Sequence, residues 1–125
     1  VKPVDMGAQQ TLTWLDIPIE ALLLPELESL GKWARMVHEQ LINNDLSRLK
    51  KLAERGTLRR FLLAEEMRLA ELACDLEESW KRENPAPLTF GYFDLAAWHN
   101  HAKSYATEMV LEQISEMFEA SKQVF

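Results

Sequence analysis

The hydrophobic positions recur at spacings of three and four along most of the chain, and this spacing predicts helices. Leu27, Leu30, Ala34, Val37 and Leu41 form one stripe. Pro25 suits a first helical turn, so a helix is expected from Pro25 to a break at Asn43-Asn44-Asp45. Glu26 and Glu28 fall near its positive end. Asp45 is a natural N-cap for a short second helix that buries Leu46, Leu49 and Leu52 or Ala53. Gly56-Thr57 is the sharpest punctuation, with a glycine to end one helix and a threonine to cap the next.

A third helix is expected from Leu58 to about Arg82, with Leu58, Phe61, Leu62, Leu69, Leu72, Leu76 and Trp80 on its apolar side. Asn84-Pro85-Ala86-Pro87 reads as a rigid connector. Thr89 or Asp94 is expected to cap a fourth helix running to about Ser121. Its stripe is Leu95, Trp98, Ala102, Tyr105, Ala106, Met109, Val110, Ile114, Met117 and Phe118. Residues 1–24 are the least regular part. Pro18 disfavours helix at Ile17, so an extended segment is expected there, with Trp14, Ile17 and Ile19 laid against the helices. The expected architecture is all-α. A single domain of about four helices, two of them long, spans residues 25–125 behind an irregular N-terminal segment.

Composition agrees with a folded domain: 125 residues, 47% hydrophobic and 27% charged. No run approaches the roughly 20 apolar residues of a membrane span, so no membrane partner is expected. The start has no apolar leader core, so no secretory leader is expected. Cys74 is the only cysteine. It excludes an intrachain disulfide and fits a reducing cytoplasm. A formal charge of -6 makes a basic protein surface a more natural partner than free polynucleotide.

The candidates for catalysis fail on spacing. His99 and His101 lie two apart, about 200° around a helix, and cannot share one ion. The Glu-x-x-His pairs of a di-iron bundle are absent, as is zinc-protease spacing. Glu65-Glu66, with Glu108, Glu112, Glu116 and Glu119, suits a solvated helix face better than a metal site. Cys74 stands beside Asp75, whose charge discourages a thiolate, and a half-buried structural role is expected. Neither a glycine-rich phosphate loop nor a nucleophile elbow is present. The expectation is a binding protein without catalytic residues, metal or cofactor. Trp33, Trp80 and Trp98 are expected in the core. Met36, Met67, Met109 and Met117 either join them or supply an adaptable surface.

Charge adds more. Residues 48–60 hold six cations (Arg48, Lys50, Lys51, Arg55, Arg59, Arg60) against Glu54, a net of +5. Residues 65–78 hold six carboxylates (Glu65, Glu66, Glu71, Asp75, Glu77, Glu78) against Arg68, a net of -5. The chain is therefore electrically split around Gly56. One reading makes the elbow a helix-turn-helix that offers Lys50, Lys51, Arg55, Arg59 and Arg60 to a phosphate backbone. A second pairs basic and acidic ends between two subunits of a homodimer. A third is a mixed, solvated surface. A partner-binding role falls on Glu65, Glu66, Glu71, Asp75, Glu78, Glu108, Glu112 and Glu116.

The segment Leu24-Pro25-Glu26, then Leu30-Gly31-Lys32-Trp33-Ala34-Arg35-Met36 and Leu41, resembles the transposon-encoded TnpV family. Members carry a Leu-Pro-Glu run, a Gly-Lys/Arg-Tyr-Gly-Arg-Leu stretch and a helical remainder. Leu52, Gly56-Thr57-Leu58 and Leu62 are similar to the family's turn before its long helix. Trp98 and Glu108 match later aromatic and acidic positions. The resemblance covers about residues 13–115. Trp33-Ala34 departs from the aromatic-glycine pair, Asn43-Asn44-Asp45 replaces a His-Arg-Pro break, and Pro85-Ala86-Pro87 has no counterpart. It implies an accessory protein of a mobile element or phage, working in the cytoplasm of a bacterial host. It supplies no catalytic residue. Together with the acidic faces, it suggests a protein-interaction module, in one form an anti-CRISPR-type inhibitor. The alternative is a DNA-associated accessory factor of transposition using the basic elbow.

Overall fold

A computed structural model of the protein describes residues 13–122. Among them the chain is all-α, with no strand. A short 3-10 turn, Trp14–Asp16, precedes six helices: α1 (Ile19–Leu23), α2 (Leu27–Leu30), α3 (Lys32–Asn44), α4 (Leu46–Glu54), α5 (Leu58–Glu83) and α6 (Tyr92–Lys122). The chain divides after Glu66, within α5, into two compact units.

The first unit begins with the turn at Trp14, which Thr13 and Asp16 close from both sides. The Asp16 carboxylate accepts the Thr13 backbone N–H at 2.9 Å and its hydroxyl at 3.1 Å. The segment is extended only at Ile17 and Pro18. Ile17 is buried as expected, but Trp14 and Ile19 are 51% and 63% exposed. A five-residue helix has few inward positions, and Ala21 takes the buried one in α1. The part of the N-terminal expectation that falls on residues 1–12 lies outside the described residues.

The helix expected from Pro25 is two helices. Gly31 separates them with φ +116° and ψ 170°, a conformation open essentially to glycine alone. Leu30, Trp33, Ala34, Val37 and Leu41 are buried, so the apolar periodicity persists through the break. His38 is buried with them, and its Nε2 lies 2.6 Å from the Ala21 carbonyl oxygen. This bond ties α3 to α1.

Asp45 caps α4 by accepting the Arg48 backbone N–H at 3.2 Å, and Leu49 below it is fully buried. The turn into α5 is a Schellman motif. Gly56, at φ +71°, donates to Ala53, and Thr57 donates to Leu52. Only glycine meets this left-handed position without strain.

In the second unit α5 and α6 run antiparallel. Arg68 reaches the Met117 sulfur at 3.3 Å at one end, and Trp80 meets Trp98 and His101 at 6.3 and 6.4 Å at the other. Leu69, Ala102, Ala106, Val110, Ile114 and Phe118 are buried. Leu95 and Tyr105 of the expected stripe are exposed instead. The Trp80–Trp98 register places the end of α5 opposite about residue 95, so the first turn of α6 has no helix beside it. Of the two cap candidates for α6, Asp94 takes part: it accepts the backbone N–H of Gly91, the residue just before the helix, at 3.4 Å. Cys74 is exposed, not half-buried. It lies about 140° around α5 from Leu69, away from the packed side.

Candidate functional site: carboxylate stripes and a basic elbow

Glu108, Glu112, Glu116 and Glu119 follow one another at steps of four, four and three on α6. They fall within about 80° of arc, on the side opposite Val110, and extend over about 16 Å. All four are exposed, and none has an ion-pair partner among the described residues. Glu71, Asp75 and Glu78 repeat the pattern on α5, within about 60° of arc and opposite Leu69. They too are exposed and form no ion pair among the described residues.

Glu65 and Glu66 do not belong to these faces. Both are half-buried. The Glu66 carboxylate accepts the Ala34 backbone N–H at 2.9 Å, at the start of α3. Gly31 caps that helix end, and a Cβ there would overlap the Glu66 carboxyl. Glu66 thus supplies, from 32 residues away, the acceptor that an N-cap side chain ordinarily provides.

The basic elbow is partly committed within its own unit. Lys50 lies 3.8 Å from Glu54, and Arg59 lies 3.7 Å from Glu26. Arg48 stacks over the Phe61 ring at 4.9 Å. Lys51, Arg55 and Arg60 are exposed and have no partner among the described residues. Three of the five elbow residues therefore remain available to a phosphate or a carboxylate.

Asp16 is held below the ordinary aspartate range, first by the Thr13 backbone N–H, then by the Thr13 hydroxyl, with a smaller pull from Lys50. Among the described residues no three His, Cys, Asp or Glu side chains converge as metal ligands. His99 and His101 are exposed, and His99 packs against the Trp98 ring at 5.0 Å. An open groove of about 400 Å³ runs along α3, with Leu22, Leu27, Met36 and Ile42 as its apolar lining. Its one imidazole, His38, is already engaged by Ala21.

Sequence reasoning missed the aromatic end of the second unit. Leu88 is fully exposed, and Tyr92 and Phe93 are 79% and 82% exposed. The signal was present as ten consecutive uncharged residues, 84–93, four of them large and apolar. Of the tryptophans expected in the core, Trp33 is buried in the first unit, while Trp80 and Trp98 of the second are half-buried. Met67 is exposed, and Met36, Met109 and Met117 are half-buried.

Among the described residues no helix is long and apolar enough to cross a membrane. Comparison with protein-family models, with curated proteins and with solved structures found no match.

Proposed function

We propose that the protein is a non-enzymatic interaction module of a mobile genetic element that docks its acidic helix faces on a basic, nucleic-acid-binding protein surface. The observation that carries this reading is the stripe Glu108, Glu112, Glu116 and Glu119: exposed, without an ion-pair partner among the described residues, and held in register by one helix. Carboxylates at steps of four stand about 6 Å apart along the axis. A solvated stripe of like charges costs the fold a small repulsion at each i,i+4 step. A cationic partner relieves that repulsion, and long-range attraction speeds the encounter. The mobile-element and bacterial-cytoplasm setting rests on the TnpV resemblance alone.

In its specific form the partner is the nucleic-acid channel of a defence nuclease, and the module is an anti-CRISPR-type inhibitor. Calorimetric titration against an RNA-guided nuclease complex tests it. Binding that weakens steeply as salt rises supports the reading. No heat at low salt, or binding indifferent to salt, overturns it.

The second reading is DNA binding at the elbow, favoured by the exposure of Lys51, Arg55 and Arg60, which have no ion-pair partner among the described residues. Three such contacts give a log–log salt slope of about -2.7, against about -4.5 if all five elbow cations reached phosphate. A flat duplex titration at low salt removes this reading.

A further inference from the structure

We infer that the aromatic end of the second unit is a contact between two copies of this chain. The exposed residues are Leu88, Tyr92 and Phe93, and the two rings already pack edge to face at 5.3 Å. Their base is fixed. Trp98 Nε1 donates to the Asn84 carbonyl at 2.6 Å, Asn84 donates to the Trp80 carbonyl at 2.9 Å, and Lys81 lies 5.2 Å over the Trp98 ring. Phe90 closes the connector by donating to the Pro87 carbonyl at 3.1 Å. An apolar knob held this way loses little freedom on docking.

Two features select a second copy as the occupant. The first is charge. Arg82 and Glu83, adjacent at the foot of the knob, are both exposed and have no ion-pair partner among the described residues. A two-fold axis beside the knob can set each Arg82 against the other copy's Glu83, which makes the rim complementary to itself. The second is area. Two aromatic rings about four-fifths exposed, with one fully exposed leucine, offer on the order of 450 Å² per copy. Two such faces bury about 900 Å², the range of a weak and reversible association. A lipid surface fits less well. The knob is uncharged and the chain carries -6, which anionic headgroups repel.

Sedimentation equilibrium of the full chain over roughly 1–500 μM reads the outcome directly. The mass should rise from one chain towards two. Phe93→Ser and Leu88→Ser, both at exposed positions, should each weaken the association at least tenfold and leave the circular dichroism unchanged. Glu83→Arg should weaken it through like-charge contact, and adding Arg82→Glu in the same chain should restore it. A single-chain mass at every concentration overturns the inference. So does a dimer that ignores Phe93→Ser, which would place the contact elsewhere. Co-sedimentation with phosphatidylcholine vesicles that depends on Phe93, without dimerisation, would assign the knob to lipid instead and equally overturn it.

Discussion

The carboxylate of Glu66 accepts the backbone N–H of Ala34 at 2.9 Å, where Gly31 leaves the start of α3 without a side chain of its own. A helix end leaves its first N–H groups without intrahelical acceptors, and an anion there also meets the positive end of the helix dipole. Glu66→Ala should therefore cost about 1–2 kcal/mol of stability, the scale of a lost N-cap. Glu66→Gln, which keeps an acceptor oxygen, should cost less. Chemical denaturation of the two variants checks the order, and equal stability of Glu66→Ala and the unmodified protein would contradict it.

Gly31 carries the other half of that arrangement. Its φ of +116° is strained for any residue with a Cβ, and a Cβ would also displace the Glu66 carboxyl. Gly31→Ala should destabilise by about 2–3 kcal/mol. Combined with Glu66→Ala, the losses should fall short of the sum, because both changes disturb one contact. Strict additivity in a double-mutant cycle would sink this account.

His38 is buried, and its ring nitrogen is bonded to the Ala21 carbonyl. His38→Ala removes the partner of that carbonyl and leaves a cavity, at a cost of about 2–4 kcal/mol. Hydrogen exchange should show α1 opening more readily than α4 in the variant. Unchanged protection of α1 would mean that the bond does not hold it.

Asp16 supplies the pH dependence that the structure supports. Its folded value is depressed by the Thr13 N–H and hydroxyl, so the charged form stabilises the turn above the ordinary aspartate range. That contribution is lost as pH falls through the depressed value. A carboxyl NMR titration should place Asp16 below an ordinary aspartate, and Thr13→Ala should move it part of the way back. An Asp16 that titrates at the ordinary value in the unmodified protein contradicts the capping geometry.

Much of the fold was legible because its signals were local. Gly56 ends α4 and Asp45 starts it through bonds that span three to five residues, and both could be read from neighbours in the sequence. The break at Gly31 was not legible in the same way. Apolar spacing runs through it from Leu30 to Leu41, and the carboxylate that makes it tolerable is Glu66, far along the chain. For the same reason Glu66 read as part of an acidic surface when it serves the interior. Tyr92 and Phe93 are exposed because α6 overruns α5, a matter of relative helix lengths that a stripe on one helix does not encode. The α6 carboxylates were legible because i,i+4 spacing alone decides that they share a side.

The central claim is that the α6 carboxylate stripe is a binding face, and target cleavage by an RNA-guided nuclease tests it most directly. The unmodified protein should slow cleavage in a dose-dependent way. The triple variant Glu108→Lys, Glu112→Lys, Glu116→Lys, at exposed positions and with unchanged helicity, should require at least tenfold more protein for the same effect. This follows from the roughly 1.4 kcal/mol that a tenfold change represents, a small demand on three reversed charges. Cleavage unaffected by saturating unmodified protein, or inhibition that survives all three reversals, would contradict the account.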